Sequence, residues 1–256
     1  MSLLDYKWIT AGVIALLTLL AGFASLHFIK RYQRFLQMGD AFADGIFLGV
    51  AAFHLFPDAI HGLASQWTLL PAIVLAFLLC GGGFILLFFL ERWIIDHEVA
   101  HFSTSTTPAW ILAGILSVHA FITGAALGMA DTTLGVTVLF LAIIMHKAFE
   151  SFALAIGLHR RWKHRFQTKV ILLCFTFMTP LGIGAASLIA GSLQTATADL
   201  LTSIFSAFAS GTFLYIGTLH ATHNHFDRKI DPTHRYYKFL ATFAGIVVMG
   251  GLSLWV

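Results

Sequence analysis

Eight long apolar segments occupy most of this 256-residue chain and limit the folds that it can adopt. They cover residues 8–29, 41–61, 68–94, 108–130, 132–158, 169–193, 200–220 and 236–256. Each is long enough for a membrane span, because a helix needs about 20 apolar residues to cross the hydrocarbon core. Only 11% of the residues are charged, whereas soluble domains have about 25%. The sequence therefore predicts an all-α, polytopic membrane protein with eight transmembrane helices in a single transmembrane domain.

The distribution of Lys and Arg predicts the orientation of these helices. The connections after the first, third, fifth and seventh segments carry thirteen of the fifteen cations, Lys7 lies on the other side, and Lys147 lies inside the fifth segment. Cytoplasmic loops are enriched in Lys and Arg. We therefore expect both termini outside the inner (plasma) membrane of a cell. The net charge of +3 is explained by the Lys and Arg residues of these cytoplasmic loops. No nucleic-acid partner is therefore expected.

Ionisable side chains within the apolar segments indicate a functional site, because such groups are costly at membrane depth. Three segments carry a histidine with an oxygen-bearing side chain four residues later: His54/Asp58, His119/Thr123 and His146/Glu150. Residues at this spacing share one helix face. Imidazole and carboxylate are ligands that Zn²⁺ and similar cations accept. Two adjacent helices are thus predicted to offer four donors to one metal ion, with Lys147 as a counter-charge for Glu150 or Asp58.

Five segments contain motifs that occur in a fixed order along the chain. They read HLFPDA from His54, HAFITGAALG from His119, HKAFESFAL from His146, TPLGIG from Thr179 and GTFLYI from Gly211. Together these motifs resemble the ZIP (Zrt-, Irt-like) family of divalent metal-ion transporters. The resemblance covers nearly the whole chain, and it extends to eight helices with both ends outside.

The resemblance implies a site for one metal ion and a mode of movement. The implied ligands are His119, His146 and Glu150, with Thr123 or water completing the coordination. The implied carrier is elevator-like and often homodimeric, with helices 1, 4, 5 and 6 holding the metal and moving against helices 2, 3, 7 and 8. The bilayer, the metal and a second copy of the chain are the expected partners.

Four positions depart from the family pattern. Thr123 replaces an acid on the fourth helix, and His220 falls where the family has an acid on the seventh. Ala120 and Lys147 occupy the positions that hold a second metal in two-metal members, so Lys147 is expected to exclude a second cation by charge. The residues expected beside the ligands or along the pathway are His54, Asp58, Lys147 and His220.

A separate motif, HEVAH, extends from His97 to His101 in the connection after the third segment. It matches the His-Glu-x-x-His pattern of zinc proteases, in which Glu98 would act as general base. Two other interpretations are a cytoplasmic loop that collects exiting metal and a plain solvated loop. The residues of the metal-collecting interpretation are His97, Glu98, His101, His223 and His225.

The predicted function is therefore transport of a divalent metal into the cytoplasm without catalysis. Zn²⁺ is the expected substrate, and Cd²⁺, Fe²⁺ and Mn²⁺ are further candidates. Because the fourth-helix acid is replaced by Thr123, a degenerate family member that senses or binds metal is an alternative. A second alternative is an intramembrane metalloprotease that uses the HEVAH motif.

Overall fold

The computed structural model describes residues 2–29, 33–98, 109–161, 165–189, 195–220 and 232–254, which are almost entirely helical. The helices are α1 (Leu3–Ile29), α2 (Gln33–Val50), α3 (Phe56–Ala64), α4 (Leu69–Glu98), α5 (Ala109–Met129), α6 (Thr133–Arg161), α7 (Arg165–Ile189), α8 (Thr195–Tyr215) and α9 (Pro232–Ser253). A π-helical turn, Ala51–Leu55, joins α2 directly to α3, and a second, Ile216–His220, extends α8. Each apolar segment thus corresponds to one helical rod, and the predicted all-α class is confirmed.

The length and surface of these helices suit a bilayer. Within the described residues, seven helices are long and apolar enough to cross a membrane, and α5 contributes a shorter apolar stretch, Ala113–Met129. Large apolar side chains lie on the outside; on α4, for example, Leu70, Phe77 and Leu78 are 72%, 61% and 68% exposed. Soluble monomers rarely expose contiguous apolar patches of this kind, whereas lipid solvates them. The polytopic membrane architecture is confirmed.

The chain divides into two compact units. The first comprises Met1–Gln33, Leu112–Thr202 and Leu252–Val256, and the second comprises Arg34–Ile111 and Ser203–Gly251. The first unit contains α1, nearly all of α5, α6 and α7, and the second contains α2, α3, α4, most of α8 and nearly all of α9. The helices are therefore grouped as the family resemblance implied, with the first, fourth, fifth and sixth rods together.

Glycines bring α5 and α7 into backbone contact in the first unit. A Cβ added at Gly124 would collide with the backbone of Thr179, and one added at Gly128 would collide with that of Ile183. Gly182 on α7 fits equally tightly against α5. Small residues at this spacing allow helices in membranes to approach closely. The contact fixes the position of α5, which carries His119, relative to α7.

In the second unit, α2 packs against α9 in the same way. Gly45 lies against the backbone of Thr242, and Gly49 lies against Met249. The π-helical turn that follows contains His54, and Phe56 donates its N–H to the carbonyl of Ala51, five residues earlier. Pro57, just after this turn, has no N–H to donate and would crowd the preceding turn of a regular α-helix. The widened turn accommodates the proline and lets the helix continue.

Candidate metal site

Three of the predicted ligands come together inside the first unit. His119 is on α5, and His146 and Glu150 lie one turn apart on the same face of α6. All three are buried, with 4%, 1% and 0% of their surface exposed. Each offers one ligand atom, and these atoms lie within 4.8 Å of one another. Within the described part of the chain, this is the group of His, Cys and acidic side chains that can hold a metal ion.

The carboxylate of Glu150 lies between the two imidazoles. Its Oε1 is 3.3 Å from Nε2 of His119 and 3.5 Å from Nε2 of His146. Zinc binds nitrogen and oxygen ligands at about 2.0–2.2 Å in tetrahedral geometry, which places the ligand atoms about 3.3 Å apart. The two separations from Oε1 are close to the edges of such a tetrahedron, and all three ligand atoms lie within 4.8 Å of one another. Two nitrogens and one oxygen therefore leave a fourth position open for water or another donor.

The second oxygen of Glu150 has a different partner. Nζ of Lys147 donates a hydrogen bond of 2.9 Å to Oε2. The same ammonium lies over the ring of Phe175 on α7, 4.4 Å from the ring centroid. Lys147 and Phe175 are both fully buried, at 1% and 0% exposure. The two oxygens of Glu150 thus have different partners: Oε1 lies near the imidazoles, and Oε2 is paired with the ammonium of Lys147.

Comparison with known proteins identifies the family. The family model described as "ZIP Zinc transporter" matches residues 5–96 and 94–253, which is nearly the whole chain. The chain belongs to the ZIP zinc transporter family. It is 26% identical to Zinc transporter 11 of Arabidopsis thaliana over 99% of this chain and 86% of that protein. It is similarly 26% identical to Zinc transporter 1 of Oryza sativa subsp. japonica, over 95% and 81% of the two chains.

A human zinc transporter is similar to this chain to about the same extent. Zinc transporter ZIP1 of Homo sapiens is 24% identical over 86% of this chain and 78% of that protein. As a ZIP family member, the chain is a membrane transporter of divalent metal and not an enzyme, so the metalloprotease alternative is wrong. Zinc transport and multi-pass insertion, both predicted from the sequence, are confirmed.

The remaining predicted ligand and pathway residues of this ZIP chain are not among the three clustered ligands, and some lie outside the description. Thr123 is half-buried on α5, and its hydroxyl donates to the carbonyl of Ala120 at 3.1 Å. His54 and Asp58 belong to the second unit, where Nδ1 of His54 and Oδ2 of Asp58 lie 2.9 Å apart. Of the two i,i+4 arrangements that end in a carboxylate, His146/Glu150 alone is therefore part of the described metal cluster.

Residues on the loop side are described only in part. His97 and Glu98 are the last residues of α4, and His220 is the last residue of the second π-helical turn; the positions of their side chains are outside the description. His101, His223 and His225 lie outside the described residues. The metal-collecting interpretation of these residues stays a prediction.

Two buried residues of the first unit were not identified from the sequence. Phe175 is one of 25 phenylalanines, and no motif distinguishes it. Lys7 was counted on the outer side of the membrane, which stays a prediction, but its partner was not foreseen; α1 begins at Leu3, so Lys7 lies within the helix. It is only 6% exposed, and its Nζ donates to the carbonyl of Gly128 at 2.6 Å. A cation suits this place because Gly128 is in the last turn of α5, where carbonyls lack helical partners.

Proposed function

We propose that this ZIP family member carries one divalent ion, Zn²⁺ in the first instance, into the cytoplasm on His119, His146 and Glu150. The observation that carries the proposal is the convergence of two imidazole nitrogens on one carboxylate oxygen at 3.3 and 3.5 Å, in a fully buried place. The transport of Zn²⁺ by this chain is also supported by the names of its relatives.

The ligand chemistry supports reversible binding of a borderline cation. Neutral imidazoles and one carboxylate contribute a charge of −1, which the adjacent ammonium of Lys147 balances before the ion arrives. The site is therefore less anionic than a cluster of carboxylates, and it favours Zn²⁺ or Cd²⁺ over Mn²⁺ and Mg²⁺, which prefer oxygen ligands. Water, or Thr123 after a change of rotamer, would provide the fourth ligand. A weak fourth ligand favours release, which a carrier requires as much as capture.

The location of all three ligands in one unit supports an elevator mechanism. His119, His146 and Glu150 belong to the first unit, and the second contributes none of them. We propose that the ion moves with the first unit while the whole chain acts as a single transmembrane transport domain, in a homodimer. The thirteen Lys and Arg residues in alternate connections support termini outside the plasma membrane.

Transport in a defined system tests this proposal. The purified chain is reconstituted in liposomes that enclose a zinc-sensing dye, and Zn²⁺, Cd²⁺, Mn²⁺ and Fe²⁺ are added in turn. Zn²⁺ flux should exceed that of protein-free liposomes and should be abolished by His146→Ala. His61→Ala is the matched control, since His61 is an exposed histidine of α3 in the second unit.

The second candidate function is that of a membrane protein that binds or senses metal, which the loss of the acid at Thr123 favours. Stoichiometric Zn²⁺ binding that depends on His146, with no flux of any of the four metals, would replace transport by this candidate. Direction is tested separately, by uptake of radioactive zinc into intact cells that express the chain. Net export from preloaded cells would contradict the inward direction.

A further inference from the structure

The carboxylate of Glu150 is shared between two kinds of partner, and Phe175 contacts one of them. Oε1 faces the imidazoles of His119 and His146, while Oε2 accepts the hydrogen bond from Lys147. The ammonium that makes this bond also contacts the face of the Phe175 ring. Because the lysine stem has four flexible carbons, a second contact restricts where its charged end can lie.

The phenyl ring is suited to hold the ammonium there. An aromatic face attracts a cation through its quadrupole, and the attraction is strongest where water is excluded. Lys147 and Phe175 are both fully buried, so water does not weaken their contact. Phe175 is on α7, whereas Lys147 and Glu150 are on α6. A residue of a neighbouring helix thus fixes the side chain that occupies Oε2.

An occupied Oε2 limits how Glu150 can bind an ion. The carboxylate is restricted to one oxygen, which gives three protein ligands and a low coordination number. Zn²⁺ accepts tetrahedral coordination with such a set, but Mn²⁺ prefers six ligands that are mostly oxygen. If Oε2 became available, the carboxylate could bind through both oxygens, and the coordination number would rise.

We propose that Phe175 is a specificity-determining residue of this transporter, acting through Lys147 to keep Glu150 monodentate and so to favour Zn²⁺ over Mn²⁺. The proposal rests on the proposed function, since it takes His119, His146 and Glu150 as the ligands. Phe175 is itself a positioning residue that does not touch the ion. Loss of its contact should increase the fraction of sites with Oε2 free by about tenfold, as expected for a buried cation–π contact.

A double-mutant cycle on the full chain tests this role. Zn²⁺ and Mn²⁺ affinities are measured by competition titration in detergent, in a background where His97, His101, His223 and His225 are replaced by Ala. Phe175→Leu should reduce the preference for Zn²⁺ over Mn²⁺ by about tenfold. Lys147→Met should reduce it at least as much, and adding Phe175→Leu to Lys147→Met should change nothing further. An equal effect of Phe175→Leu in both backgrounds, or no effect in either, would overturn the proposal.

A second measurement avoids any change in packing. Phenylalanine analogues with one and three ring fluorines at position 175 keep the shape of the side chain but weaken its quadrupole stepwise. The metal preference should fall stepwise with fluorination, and bound Co²⁺ should lose the intense visible absorption of tetrahedral coordination. A preference and spectrum that stay constant across the series would show that Phe175 only fills space.

The control variant His146→Ala distinguishes failure of the ligand assignment from failure of the role of Phe175. If Zn²⁺ affinity is unchanged in His146→Ala, the assigned ligands are wrong and the proposed function fails. If His146→Ala abolishes binding while the Phe175 variants keep the metal preference of the parent, the site stands and only the role of Phe175 fails.

Discussion

Lys147 donates a 2.9 Å hydrogen bond to Oε2 of Glu150, three residues further along α6, inside a fully buried part of the first unit. An unpaired charge at this depth would be very costly, and removal of one partner would strand the other. The pair therefore supplies the metal site with its own resident cation. This cation lies on the side of the carboxylate that is directed away from the imidazoles, where a second metal ion would otherwise find a ligand.

Replacing Lys147 by an acid should convert the site from one ion to two. In Lys147→Asp the repelling ammonium is lost, and a new carboxylate stands beside Glu150, so a second Zn²⁺ should bind. The measurement is the number of ions per chain by elemental analysis after gel filtration, with the loop histidines removed. Lys169→Asp, an exposed lysine of α7, is the control and should retain one ion. Two ions already present in the unmutated site would contradict the role of Lys147.

The glycine contact between α5 and α7 should be intolerant of even a methyl group. Gly124→Ala places a Cβ against the backbone of Thr179, which cannot move aside as a flexible side chain would. Overpacking of this kind costs about 1–3 kcal/mol. We expect a lower Tm in detergent and weaker Zn²⁺ binding. Gly114→Ala on the same helix is the matched control, since nothing lies within 4 Å of its added Cβ; equal losses in both variants would show that the contact is unimportant.

The sequence predicted the parts of the site that depend on one helix. His146 and Glu150 were paired by their spacing, because the period of an α-helix fixes which residues share a face. The same argument selected His54 and Asp58, whose side chains contact each other in the second unit and are not in the described metal cluster. Periodicity cannot tell these cases apart, since the choice of neighbouring helices depends on tertiary packing. Family motifs supplied that information.

Phe175 illustrates what could not be predicted. Its role depends on a contact between α7 and α6, and an apolar residue in an apolar segment gives no sign of such a contact. The partner of Lys7 could not be predicted for a related reason. Charged residues near the end of an apolar segment usually mark the membrane boundary, but here the partner is a backbone carbonyl of another helix, Gly128, which no side-chain pattern reveals.

The HEVAH motif should be dispensable for movement of metal through the membrane. Glu98 is at the end of α4 in the second unit, whereas the proposed ligands are all in the first. Glu98→Gln removes the charge that a protease would need, and Zn²⁺ flux into liposomes should stay within about twofold of the parent, which corresponds to about 0.4 kcal/mol. A loss of flux as severe as that of His146→Ala would mean that the metal pathway uses this segment directly.

Thr123 is the position at which the site should respond most strongly to an added ligand. It lies one turn after His119 on α5, and its hydroxyl is at present bonded to the carbonyl of Ala120. A glutamate there would offer a carboxylate at the family's acidic position, and charge–metal contacts are strong where the dielectric constant is low. Thr123→Glu should therefore tighten Zn²⁺ binding by at least about tenfold, which is about 1.4 kcal/mol. Isothermal titration on the purified chain, with the loop histidines removed, measures this change.

Thr123→Gln is the control for this prediction. Glutamine has nearly the same size as glutamate but no charge, so this variant should bind Zn²⁺ much as the parent does. Flux need not rise with affinity, since a more stable complex releases its ion more slowly. Unchanged affinity in Thr123→Glu would mean that position 123 does not face the ion, and that the fourth ligand comes from water alone.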